Sequence, residues 1–173
     1  MRKVQFMLSY GHPDIPSRLD QENYPVLTLG HDRLVPISAV KQNKTPQYSL
    51  DSTSVIPLLE YNQTSALGVI AGTKLKPLIV QNQTGKQFNI SVVFSAHNAM
   101  LLKTMTMSGR GVAWIPASLI QQELDTKELV LAGGVQWQIP IDIKLYRQKA
   151  QMSQPAESVW KMLTEVSTAT TRP

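Results

Sequence analysis

Residues 91–116, Ser-Val-Val-Phe-Ser-Ala-His-Asn-Ala-Met-Leu-Leu-Lys-Thr-Met-Thr-Met-Ser-Gly-Arg-Gly-Val-Ala-Trp-Ile-Pro, constrain the fold more than any other stretch. They read as strand, polar turn, helix, glycine stop and strand. Ser95 is placed to cap the following helix, since its hydroxyl can accept a free first-turn amide. Gly109 stands where a helix needs a left-handed exit. Gly111 to Ile115 then make a short apolar strand ended by Pro116. A βαβ unit of this kind sets a helix N-terminus, with its unpaired amides, at the carboxyl end of a strand. Open α/β sheets bind small polar or anionic ligands there.

The rest of the chain repeats the alternation. Strands are expected at Val4–Tyr10, Val26–Leu29, Leu34–Ala39, Ile56–Tyr61 and Phe88–Phe94, the second and third separated by a kink at Gly30-His-Asp32. His12-Pro-Asp-Ile-Pro16 is neither helix nor central strand, because its two prolines lack amide donors. Gln42–Ser54 is polar and reads as a connector between lobes. Asn62-Gln-Thr-Ser65 reads as a capping turn before a helix over 65–75, and a further turn is expected at Gly85. Strands that alternate with helices of about a dozen residues argue for parallel βαβ construction.

Composition narrows the function classes. Cysteine is absent, so there is no disulfide, thiolate metal site or cysteine nucleophile. No apolar run approaches the roughly 18 residues of a membrane span, and the start is a poor signal peptide. Both suit a cytoplasmic protein. The three histidines, His12, His31 and His97, have no metal-ligand spacing, and there is no Gly-x-Ser-x-Gly elbow or phosphate-cradling glycine loop. The expectation is a chain that is not an enzyme and carries no cofactor or metal. The net charge is +5, and no acid occurs between Glu60 and Glu123, where Lys74, Lys76, Lys86, Lys103 and Arg110 fall. That cationic middle suits an anionic ligand, or is simply a solvated basic face. No basic helix or reading motif supports direct nucleic-acid binding.

The wording from Gly109-Arg-Gly-Val-Ala-Trp-Ile-Pro116 through a helix at 117–124 to Glu128-Leu-Val-Leu131 resembles the effector-binding domain of LysR-type transcriptional regulators. Trp137-Gln-Ile-Pro-Ile-Asp-Ile-Lys-Leu-Tyr-Arg147 is similar to that family's return strand, and Pro155-Ala-Glu-Ser-Val-Trp160 to the start of its last helix. Tyr10-Gly-His-Pro-Asp14 and Gly111–Pro116 are most similar to the branch that includes hypochlorite-responsive regulators. The resemblance implies an α/β, two-lobed, type 2 periplasmic-binding-protein-like fold with parallel-rich βαβ sheets. Lobe I, from residues 1–40 and 137–166, would be incomplete. Lobe II would be residues 48–134, with 167–173 a flexible tail. It also implies a ligand-sensing domain without the N-terminal winged helix-turn-helix, through which alone the parent would bind DNA.

The same resemblance points to an effector cleft contacted by Asn62, Gln63, Thr64, Ser65, Ser95, His97, Trp114, Ile115 and Pro116 from lobe II and by Tyr10 and His12 from lobe I. Each also has an ordinary reading, as a cap turn, a satisfied histidine or core packing. Met100, Met105 and Met107 form part of one apolar stripe on their helix. Core packing explains it, while the hypochlorite-responsive relatives suggest oxidant sensing, since sulfoxide is polar. The expected partners are a small, anionic effector and other copies or like effector domains. A free-standing solute-binding protein for transport, and a degenerate module that pairs with intact regulators, are the alternatives.

Overall fold

The structure is a computed structural model that describes residues 4–52, 54–82 and 89–170, with side chains described as far as Ser167. The chain divides into two compact units, residues 1–31 with 141–173, and residues 32–140. The elements are β1 (Phe6–Gly11), α1 (Arg18–Gln21), β2 (Val26–Ala39), β3 (Ile56–Tyr61), α2 (Ala66–Asn82), β4 (Ile90–Ala96), α3 (Ala99–Met107), β5 (Ala113–Pro116), α4 (Gln121–Asp125), β6 (Leu129–Leu131), β7 (Ile139–Arg147) and α5 (Gln154–Thr170). The unit boundaries fall inside β2 and β7.

In the larger unit, β2 carries a buried run from Leu34 to Ala39. It pairs antiparallel with β5, Leu34 opposite Pro116 and Ile37 opposite Ala113. It also pairs antiparallel with β6, Ile37 opposite Leu131. β3 and β4 run parallel, with the register slipping so that Leu58 faces Val92 and Leu59 faces Phe94. Val93 is therefore the extra residue of a bulge. β5 begins against β3, where Leu59 N donates to the Val112 carbonyl (2.9 Å) and Val112 N to the Pro57 carbonyl (2.8 Å). Gly111 permits that approach, since a Cβ there would lie 2.5 Å from the Pro57 oxygen. Gly109, at φ +74°, makes the left-handed exit from α3. The core is Leu34, Ile37, Ile56, Leu59, Leu102, Ile115, Ile120, Leu129, Trp137 and Ile139, all nearly free of solvent contact. Each such aliphatic side chain contributes ~1.5–3 kcal/mol by burial.

The smaller unit pairs β1 with β7 antiparallel, one residue to one from Phe6–Arg147 to Gly11–Asp142. Its helix α5 rests on the strands through Trp160, which stacks on Phe6 (ring centroids 6.2 Å apart) and lies under Arg147 (5.5 Å). Arg147 also forks onto Glu157 with 2.8 and 2.7 Å bonds. Together with the Met152 N–H, the fork holds the Glu157 carboxyl below its ordinary pKa. Ser17 and Asp20 form a capping box on α1. Asp20 receives the Tyr146 hydroxyl at 2.9 Å and Lys144 Nζ at 3.3 Å. Burial raises the Asp20 pKa, but hydrogen bonds from Ser17 and Tyr146 and the Lys144 charge outweigh it and leave Asp20 below the ordinary value.

Several expectations need correction. The α/β class stands, but among the described residues the parallel pairings found are β3–β4 and the short contact of β3 with Val112, whereas β1 with β7, β2 with β5 and β2 with β6 pair antiparallel. Residues 26–39 are one strand, not two about a kink. The chain therefore leaves the smaller unit within β2, and the stretch expected to connect lobes is folded onto the larger unit. Gln47 N bonds the Ala39 carbonyl, Leu50 N the Ala132 carbonyl (2.7 Å), and Tyr48 N the Ser38 hydroxyl. α2 continues through Pro77 to Asn82. A proline deletes one helical hydrogen bond, but the turns beyond it still find donors. The expected tail is helical from Ser167 to Thr170, where the Ser167 hydroxyl bonds the Thr28 carbonyl. Residues 171–173, Thr53, the turn at Gly85, Lys86 and Phe88 lie outside the described residues.

Candidate functional site

The parallel strands β3 and β4 both end, at their carboxyl termini, beside the start of a helix. Asn62 N donates to the Ala96 carbonyl (2.8 Å), which ties the two strand ends together. From Asn62 the chain turns into α2. Ser65 is its cap: the hydroxyl accepts from Gly68 N (3.0 Å) and donates to the Asn62 carbonyl (2.9 Å). Gly68 is required, because a Cβ there would fall 1.9 Å from the Asn62 oxygen. Gln63 and Thr64 protrude, exposed, from this turn. At the end of β4 the chain enters α3, and the cap is Asn98, whose Oδ1 accepts from Leu101 N at 2.9 Å. Exposed His97 stands between Ala96 and this cap.

Ser95 is not that cap. It lies within β4 opposite Glu60, and its hydroxyl donates to Glu60 Oε1 (3.0 Å). The strand extends to Ala96 because it is paired with β3 as far as Tyr61, and this moves the helix start three residues on. The fold thus sets a carboxylate beside a hydroxyl expected to face an anion. A sequence signal for the true cap was present, since Asn ranks with Ser at that position.

Trp114, Ile115 and Pro116 are buried in β5. Trp114 Nε1 donates to the Trp137 carbonyl (2.8 Å). Trp114 also lines a small cavity of about 50 Å³ between α2 and β3, together with Leu58, Tyr61, Ala71 and Leu75. Ile115 has no exposed surface and faces Val35 across the sheet. Ile115 and Pro116 are thus packed within the core of the larger unit, while Trp114 borders both that core and the cavity. Tyr10 and His12 belong to the other unit. Tyr10 pairs with Ile143 on β7. His12 is buried and accepts the Asp14 N–H on Nδ1 (3.0 Å), so a neutral ring carries its proton on Nε2.

The methionine stripe is not core packing. α3 buries Ala99, Leu102 and Thr106 instead, and leaves Met100 56% and Met107 42% exposed, with Met105 between. Further along, Lys103 bonds the Leu119 carbonyl and pairs with Glu123. The Lys103 hydrogen bond draws the Glu123 pKa below the ordinary value. Among the described residues no group of His, Asp and Glu has the arrangement of a metal site.

Residues 2–168 match the LysR substrate binding domain. The chain belongs to this family. Two curated relatives are each 28% identical over 140 residues, 81% of this chain. One is the HTH-type transcriptional regulator YjiE of Escherichia coli (strain K12), of which 44% is covered. The other is the HTH domain-truncated transcriptional regulator QseD of Escherichia coli O157:H7, of which 54% is covered. The chain thus spans about half the length of these relatives. The solved regulatory domain of HypT from Salmonella typhimurium, in its apo form, superposes with a TM-score of 0.78 at 30% identity, covering 95% of this chain and 73% of that one. The two-lobed regulatory-domain fold of LysR-type regulators follows, and with it the role of an effector-binding domain. No helix among the described residues is long and apolar enough to cross a membrane.

Proposed function

We propose that this LysR-type domain senses a small anion or carboxylate at the joined carboxyl ends of β3 and β4. The observation that carries the reading is the Asn62–Ala96 bond, which brings the N-termini of α2 and α3 beside one pair of strand ends. Helix N-termini present amides and a positive dipole end to negative charge. Thr64 and His97 are the exposed groups best placed to complete such a site. Ser65 and Asn98 support it as caps, while Ser95 is engaged by Glu60. The regulatory domain of HypT has also been solved with bromide ion bound, which supports an anion as the class of ligand. In the parent regulator, effector binding would bias an oligomer built from copies of this domain or from like domains.

The test is calorimetric titration of bromide and a panel of mono- and dicarboxylates into wild type, Thr64→Val and His97→Ala, beside thermal melts of each. Anions are expected to bind wild type and to bind each variant about fivefold more weakly, the effect of one neutral hydrogen bond of ~1 kcal/mol. Binding of neutral or cationic molecules alone, or variants that bind as wild type does, would remove this site.

A second reading rests on the exposure of Met100 and Met107. Full-length HypT is described as hypochlorite-specific, and exposed thioethers oxidise before buried ones. Limiting hypochlorite followed by peptide mass spectrometry is expected to convert Met100 and Met107 before Met152, which is 6% exposed. Equal conversion of Met152 would count against selective sensing.

A further inference from the structure

We infer that the groove between α2 and strands β3 and β4 is a second ligand site, which takes a monoamine with a compact apolar body and holds its ammonium against Glu60. The groove lies wholly within the larger unit, and the inference does not rest on the anion reading.

The groove has a volume of about 530 Å³, within the roughly 300–1,000 Å³ of small-molecule sites. Its lining is apolar on both sides, with Val69 and Leu75 from α2, Leu58 from β3 and Val92 from β4. Val69 is 44% and Val92 51% exposed, so this apolar surface is left to solvent. The groove shares Leu58, Gly72 and Leu75 with the small cavity beside Trp114.

Gly72 keeps the groove open. A Cβ on Gly72 would meet nothing within 4 Å, and the residue lies inside the helix α2. Neither close packing nor backbone conformation requires a glycine there, in contrast to Gly68 one turn earlier. A glycine inside a helix costs stability relative to alanine or leucine. What this one leaves in return is space beside the strands.

Glu60 sets the charge of the ligand. It is the one acidic side chain that lines the groove, and it is half-buried. The Ser95 hydroxyl occupies its Oε1 (3.0 Å), and among the described residues no cation is paired with it. A carboxylate beside apolar surface is poorly solvated, and gains most from a cation that brings its own N–H donors. Lys76 lines the same groove, two helical turns beyond Gly68 and about 12 Å along the axis. A second positive charge on the ligand would be repelled there, which favours a monoamine over a diamine.

Phenethylamine titrated into the full chain, followed by backbone amide chemical shifts, tests this. Binding of about millimolar strength is expected for so small a molecule, with shifts at Val69, Gly72 and Val92. Phenethyl alcohol, alike in shape but uncharged, should bind about tenfold more weakly, and hexamethylenediamine more weakly than hexylamine. Glu60→Gln retains an acceptor for Ser95 and should weaken phenethylamine about tenfold. Gly72→Leu fills the groove and should abolish binding without lowering Tm, since leucine is the better helix former. Absent shifts, equal binding of phenethyl alcohol, or wild-type binding by either variant overturns the inference. So would a change of sedimentation on Gly72→Leu with no amine bound to wild type, which would give the groove to a second copy. Gly72→Leu should leave bromide binding unchanged, and Thr64→Val should leave phenethylamine binding unchanged. Loss of one ligand alone therefore shows which of the two sites has failed.

Discussion

The two units are held together by different chemistry. The larger has a continuous apolar core, from Leu34 and Ile37 through Leu59 and Leu102 to Ile115, Trp137 and Ile139. In the smaller, among the described residues, the buried apolar side chains are Ile141, Leu145, Tyr146 and Met152. Its strands and helices are joined instead by directed contacts: Arg147 with Glu157 and Trp160, Asp20 with Tyr146 and Lys144, His31 with Asp142 (2.8 Å), and Lys149 over Tyr24. Apolar burial is insensitive to pH, whereas hydrogen bonds to carboxylates require those groups to be ionised. One unit should therefore respond to cavities, and the other to protonation.

The largest effect should come from opening a cavity in the larger unit. Leu59→Ala is expected to lower unfolding free energy by about 2–5 kcal/mol in urea titrations. A loss below about 1 kcal/mol would mean that this core relaxes freely and that the contrast is wrong. Gly111→Ala should come next, at about 1–3 kcal/mol, because the contact met is the Pro57 backbone carbonyl rather than a movable side chain.

In the smaller unit, Tyr146→Phe removes one donor to Asp20 and should cost about 1–2 kcal/mol near neutral pH. The folded pKa of Asp20 is depressed, so its contribution is present above the unfolded value of about 4 and disappears as pH falls through the folded value. Glu157 shifts in the same direction. The difference between wild type and Tyr146→Phe should therefore shrink in acid, while the penalty of Leu59→Ala persists for as long as the chain folds. A pH-independent Tyr146→Phe penalty would break the comparison. The smallest change sharpens the site: Asn98→Ala should cost about 1 kcal/mol through loss of the α3 cap, and Ser95→Ala should leave α3 unaffected. The reverse order, read by helix-resolved hydrogen exchange, would restore Ser95 as the cap.

Much of the fold was legible in local chemistry. Gly109 marks a left-handed exit whatever surrounds it, and Ser65 caps α2 because a hydroxyl at that spacing meets a free amide. The wording from Gly109 to Pro116 carried the family. The site was half legible. Thr64, Ser65 and His97 lie on the turns that lead into α2 and α3, as the polar spacing suggested, whereas the burial of Ile115 and Pro116 in β5 could not be read from the sequence, because an apolar run reads alike whether it lines a cleft or fills a core.

By itself, then, the sequence determined the family, the order of the elements and the turns that depend on a single residue's φ or hydroxyl. Only the tertiary structure decided where strands end, how they pair and which helix face is buried. β4 reaches Ala96 because β3 is there to bond it, so Asn98 and not Ser95 opens α3. β2 crosses Gly30 without a break because it is held in a sheet, a non-local contact that local propensity does not report. α3 turns Leu102 and Thr106 inward and Met100 and Met107 outward because β3 and β5 cover one side of it, and its apolar residues are spread too evenly for the periodicity to choose that side.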